Sequence, residues 1–242
     1  MTKQSWHIFI SKMHKWVGLI LGIQLLFWTV GGIVMSWIPI EQVRGEHKIA
    51  KQSVSPIKPN DALVSINDLL TSIEGNVSSI EYKKLLGQPV AKVRLENGNT
   101  EIWDAINAVQ ISPISANMAL QIATADYAPD SPVISVEEIN ETSIDYRRAL
   151  PVWKITFADK ENTALYVSPT EARVVSRRSS VWRFYDFFWM LHIMDYDERH
   201  NFNNPLIMAT SLFATLFAIS GFFLLYFRFS RRDFRFLSGK EK

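Results

Sequence analysis

The chain contains no cysteine. Disulfides, thiol redox chemistry, iron–sulfur clusters and covalently attached c-type haem are therefore excluded. Histidine is also scarce, with five in 242 residues. No zinc-type histidine spacing, Ser-His-Asp arrangement or phosphate-cradling glycine loop stands out, and no nucleotide or flavin motif is present. Charge is missing from two stretches. Val17–Ile38 and Leu206–Phe227 hold no Asp, Glu, Lys or Arg, and each is 22 residues long. As helices they would measure about 33 Å, which matches a hydrocarbon core of roughly 30 Å. Both read as membrane spans. The first is longer than a signal-peptide core, and Ser36-Trp37-Ile38-Pro39 is a poor cleavage site, so it reads as a retained anchor.

What charge there is lies asymmetrically. Residues 1–16 carry Lys3, Lys12 and Lys15 without an acid, and the tail after Phe227 carries Arg228, Arg231, Arg232, Arg235, Lys240 and Lys242 against Asp233 and Glu241. The positive-inside rule then predicts that both ends are cytoplasmic. Residues 39–205 hold 17 basic and 22 acidic side chains, a net charge of −5 in a chain that is +2 overall. An acidic outer domain argues against nucleic acid as a partner. Trp6, Trp16 and Trp37 mark the interfaces of the first span; Tyr226, Phe227 and Phe229 close the second at its inner face.

The segment between the spans repeats itself. Ser55-Pro56-Ile57-Lys58-Pro59-Asn60-Asp61-Ala62-Leu63 aligns with Ser112-Pro113-Ile114-Ser115-Ala116-Asn117-Met118-Ala119-Leu120 at six of nine positions. Pro89-Val90-Ala91-Lys92 then matches Pro151-Val152-Trp153-Lys154, and Asn99-Thr100 matches Asn162-Thr163. Each unit reads as a helix followed by strands. Leu63, Ile66, Leu70 and Ile73 have helical spacing from Asp61 to about Glu74, while Val90–Leu95 and Val152–Phe157 alternate as half-buried strands do. Asn97-Gly98 and Asp159-Lys160 supply turns. The paired carboxylates Glu137 and Glu138 fall on a strand and point to opposite faces, so they form no catalytic pair. The expected fold class is an α+β membrane protein: two transmembrane helices flank a domain of two helix-plus-antiparallel-sheet repeats. The expected boundaries are 1–16, 17–38, 39–180 (repeats at about 55–111 and 112–178), 181–205, 206–227 and 228–242.

These features resemble the PepSY-associated transmembrane family. The resemblance is carried by His14-Lys15-Trp16-x-Gly18 before the first span, the doubled unit with its Pro-Val strand start, and Leu191-His192-x-Met194-Asp195-Tyr196 before the second span. Ser220-Gly221 and the aromatic-basic end also fit. Larger relatives have more spans. The smaller group, the VciB-like inner-membrane proteins, implies haem-dependent reduction of ferric iron on the periplasmic side in support of ferrous iron uptake. It also implies haem b as cofactor, iron as substrate and a bacterial inner-membrane location.

Candidate residues follow. His14, Gly18 and Gly22 are spaced four apart on the first helix, with Leu25, Thr29 and Gly32 roughly on the same face. Either a porphyrin ligated by His14 rests over Gly18 and Gly22, or the glycines pack helix against helix. Val181–Met194 reads as an aromatic interfacial helix with His192 on the face of Tyr185, Phe188 and Trp189. His192 is an axial ligand or an interfacial histidine. His14 and His192 lie at opposite membrane faces, so they cannot share one iron within one chain. A bis-histidine site then needs a second copy, and a homodimer is expected, with Thr210, Ala214 and Ala218 as a further small face. Asp195, Asp197, Glu198 and His200 form either a site for a hard cation such as ferric iron or an ordinary solvated connection; Glu41, Glu46 and His47 lie near the same membrane face. Asn204 is expected to cap the second span, with Pro205 in its first turn. The electron donor is expected to be separate, a quinol or a cytoplasmic reductase, and a ferrous iron transporter is an expected partner. The competing reading is a non-enzymatic module that binds a protein partner or serves a transporter as accessory subunit.

Overall fold

The two uncharged stretches form the two longest helices of the chain. The structure, a computed structural model, describes residues 3–51, 56–58 and 61–228. Ser55, Pro59, Asn60, Phe229 and the basic residues beyond Arg228 lie outside the described residues. Helix α1 runs Lys3–Trp37 and α6 runs Pro205–Arg228. Residues 3–16 thus continue the first helix instead of forming a separate tail. The candidate spans are Ile8–Trp37 and Pro205–Tyr226, with mean hydropathy 2.1 and 2.0, and only 11% and 6% of their apolar windows are buried. A soluble core helix of that hydropathy would be mostly buried, so these surfaces face lipid. Asn204 Oδ1 accepts the Ile207 amide at 2.9 Å and Pro205 opens α6, the expected cap.

The chain divides into two units, residues 39–184 and the remainder. In the first, α2 (Ile40–Val43) and a single 3₁₀ turn (Glu46–Lys48) lead into two sheets. β1 (Val77–Leu85), β2 (Gln88–Leu95) and β3 (Thr100–Asp104) form one antiparallel sheet in that order. β4 (Val133–Ile139), β5 (Val152–Phe157), β6 (Ala164–Ser168) and β7 (Arg173–Arg178) form the other. The duplication extends to detail: β1 shifts register between Val77 and Ser79, and β4 does so between Val133 and Ser135. In the first sheet the place of β7 is taken by a single antiparallel bridge, Trp103 with Gln110.

Helix α3 (Ile66–Ser72) is shorter than its spacing predicts. Ser65 accepts the Asp68 amide as N-cap, and the Val64 amide is already committed to the Ala105 carbonyl, so the turn before Ser65 is extended. Leu69 and Ile73 pack on Ala91, Val93, Leu95 and Trp103, one face of the first sheet. Helix α4 (Ala116–Asp126), capped by Ser115, packs on the second sheet. Its Ala119, Ile122 and Ala123 share one buried cluster with Ile155, Phe157, Leu165 and Val167 of that sheet and with Val90 and Ile102 of the first. Adjacent strand residues serve opposite faces, since Val90 joins this cluster while Ala91 joins that of α3. Tyr146, Val152, Ala164 and Tyr166 close the far face of the second sheet. Burial there pushes the Tyr166 hydroxyl up to about 12.

Candidate functional site

In the second unit, α1 and α6 are joined at the level of His14. His14 and Gly18 stand four apart on α1, and Phe217, Ser220 and Gly221 share a face of α6 by their three- and four-residue spacing. The His14 and Phe217 rings stack with centroids 4.1 Å apart and planes 10° from parallel. His14 Nδ1 lies 2.7 Å from Ser220 Oγ, and that hydroxyl is 2.7 Å from the Phe217 carbonyl. A Cβ on Gly18 would come within 2.8 Å of the Phe217 ring, and one on Gly221 within 3.3 Å of His14 Cε1. Each glycine therefore receives the ring of the opposite helix. The space over Gly18 is taken by Phe217, so that glycine serves helix packing, and no flat group fits between α1 and α6 there. Over Gly22 there is nothing within 4 Å.

Helix α5 (Ser180–Ile193) ends beside α1. Its last carbonyls lack helical partners and are met by side chains. Gln24 Nε2 donates to Leu191 O at 3.2 Å, Trp28 Nε1 to His192 O at 2.8 Å, and Asn204 Nδ2 to Ile193 O at 2.9 Å. Gly31 is buried, and a Cβ there would lie 3.5 Å from both His192 Nδ1 and the Phe188 carbonyl. His192 Nδ1 is itself buried without a hydrogen-bond partner among the described residues. The His192 ring lies 6.3 Å from Trp28, and Trp28 is about 21 Å along α1 from His14 at 1.5 Å per residue. The two imidazoles occupy different depths and cannot meet on one metal within the chain.

The loop after α5 holds its acidic side chains apart. Asp195 is buried, and its carboxylate is turned inward: Oδ1 accepts the Glu198 amide at 3.1 Å, while Oδ2 accepts His200 and Asn201 amides at 3.0 and 2.9 Å. The Asn201 bond, followed by those of His200 and Glu198, holds the carboxyl below its usual range against the upward push of burial. It braces the loop. Asp197 and Glu198 are exposed, and Glu198 pairs with His200 at 3.4 Å. Glu46 pairs instead with Arg44. Among the described residues no group of three or more His, Asp or Glu side chains converges on a position that could hold a metal ion.

The order of these elements decides the family. The model of the PepSY-associated TM region matches residues 5–242. The chain belongs to this family. No curated protein matches it significantly, and no solved structure does. For the haem that a resemblance to PepSY-TM proteins implies, a ligating imidazole needs one nitrogen anchored to protein and the other free. His14 fits: Nδ1 is held by Ser220, and Nε2 has no hydrogen bond to any described residue. His192 does not fit as placed, because ligation through Nε2 would leave a buried Nδ1–H with no acceptor. Spacing did not single out Phe217, Gln24 or Trp28. Gln24 carried a signal, as an amide within an uncharged span; Phe217 carried none among so many phenylalanines.

Proposed function

We propose that this PepSY-TM protein is a b-type haem redox protein of the bacterial inner membrane, reducing ferric to ferrous iron on the periplasmic side for uptake. The observation that carries the reading is His14, a half-buried imidazole between α1 and α6, anchored at Nδ1 and without a hydrogen-bond partner at Nε2 among the described residues. Haem b, when bound, would supply one-electron transfer at a potential set by the residues that hold it and their surroundings. The residues of the chain do the rest. Phe217 and Ser220 hold the imidazole on the α1–α6 pair, and His14 of a second copy related by a twofold axis would supply a second imidazole to hold the haem. The acidic segment 39–205 draws cationic iron to the outer surface. Each ferric ion accepts one electron, drawn from a quinol or a cytoplasmic reductase, and a ferrous iron transporter takes the product.

The test is a reduced-minus-oxidised visible spectrum with a pyridine haemochrome assay on the full chain, purified in mild detergent from haem-replete cells. A b-type signal proportional to protein, lost in His14→Ala, is the expected result. Absence of haem after reconstitution rejects the reading and turns attention to the repeats as a protein-binding module.

A further inference from the structure

Around His14 there are two contacts of 2.7 Å and a single hydroxyl proton to serve them. Ser220 Oγ is 2.7 Å from His14 Nδ1 and 2.7 Å from the Phe217 carbonyl oxygen. The carbonyl can only accept. If the hydroxyl proton goes to the carbonyl, the contact with Nδ1 is a hydrogen bond only when Nδ1 carries its own proton. If the hydroxyl proton goes to Nδ1, the oxygen–oxygen contact at 2.7 Å is left with no proton between two lone pairs. The Nδ1–H form of the neutral ring is thus the one tautomer in which both contacts are attractive. The ring has little freedom to escape the choice, because Phe217 stacks on its face at 4.1 Å and the gap at Gly221 receives its Cε1 edge.

We propose that Ser220 is a positioning residue that fixes the tautomer of His14, keeping the proton on Nδ1 and presenting the Nε2 lone pair as the ligand for an electrophilic metal centre. The inference deepens the reading of His14 as a haem ligand, but the protonation pattern it states belongs to the metal-free protein. In a helix, Ser220 satisfies its own hydroxyl by bonding back to the preceding turn. Here that local bond has a second effect: it converts the oxygen into a pure acceptor, and so determines which imidazole nitrogen keeps its proton.

The experiment is long-range ¹H–¹⁵N correlation NMR on full-length, metal-free protein with ¹⁵N-labelled histidine in detergent micelles or nanodiscs. His14 is assigned by comparison with His14→Gln. The expected wild-type pattern is Nδ1 protonated and Nε2 unprotonated. Ser220→Ala removes the acceptor and is expected to move His14 toward the Nε2–H form, and Ser220→Thr, which keeps a hydroxyl, is expected to restore the wild-type pattern. Haem titration into the same samples is expected to show Ser220→Ala binding about 10–100-fold more weakly, the usual cost of losing an outer-shell partner. An Nε2–H ring in the wild type overturns the inference, as does an unchanged Nδ1–H ring in Ser220→Ala. A wild type that shows the Nδ1–H pattern but binds no haem supports the tautomer assignment while rejecting the haem reading.

Discussion

Lys48 is 8% exposed, and its ammonium keeps all three of its protons engaged. Nζ donates to Asp159 Oδ2 at 2.7 Å, Glu161 Oε2 at 2.8 Å and Thr163 Oγ1 at 2.9 Å. Asp159 also accepts the Tyr127 hydroxyl at 2.8 Å and the Thr163 amide at 2.7 Å. Burial pushes the Asp159 carboxyl up, but the bonds from Lys48, Thr163 and Tyr127 outweigh it and hold the group well below the ordinary range. Burial lowers the Lys48 ammonium, and the bonds to Asp159 and Glu161 overcome that, for a net rise. With Asp159 depressed, its contribution to stability is present above roughly pH 3.9, the unfolded value, and is lost as pH falls through the folded value. With Lys48 raised, its contribution is present below roughly pH 10.4 and is lost as pH rises through the folded value. Lys48→Met strands the Asp159 charge and is expected to destabilise the domain of residues 39–184 by about 3–5 kcal/mol. Denaturant unfolding of the full chain in detergent measures this; the loss should shrink in Lys48→Met combined with Asp159→Asn. Sequence reading gave Lys48 no role, because its partners are 111 to 115 residues away and no local pattern announces so distant a pairing.

At the scale of elements, the parts set by local periodicity were legible and the parts set by partners were not. The strands around Val90–Leu95 and Val152–Phe157 alternate cleanly, because one face meets α4 and the other a separate cluster. Helix α3 was expected from Asp61 and begins after Ser65, because backbone pairing with Ala105 competes with the apolar spacing. The acidic run after α5 looked like a ligand set from composition alone; the inward turn of Asp195 depends on the fold of the loop, which composition does not encode. The glycines of α1 were legible as an opening but not as to what enters it, and Phe217 fills the one at Gly18. Gly18→Val is therefore expected to weaken the α1–α6 pair by about 1–3 kcal/mol through overpacking. In Phe217→Ala the same substitution should cost far less. A double-mutant cycle read by thermal unfolding in detergent tests the coupling; equal costs in both backgrounds would show that the ring and the glycine do not oppose each other.

For the whole molecule, the two spans and their lipid-facing surfaces were readable from the missing charge, and the structure separates them from the repeats as a unit of their own. The candidate site was half legible: His14 was visible as a boundary histidine, whereas Ser220, which holds it, lies 206 residues further on. The expectation from the basic flanks, that both ends face the cytoplasm, is open to test. Cytoplasmic reporter fusions at either end are expected to be active, and residues 39–184 are expected to be cut by protease added to the periplasmic side of spheroplasts; protection of that segment would reverse the orientation. The interlock of His14 with Phe217, Ser220 and Gly221 also orders events during biosynthesis. His14 leaves the ribosome early, but its stacking and hydrogen-bonding partners are made only after the whole intervening segment has been translated. Until α6 arrives, the His14 imidazole lacks the ring and the hydroxyl that hold it. Its surroundings are thus completed only once α6 has been made, and a chain truncated before Phe217 would carry the histidine without its stacking and hydrogen-bonding partners.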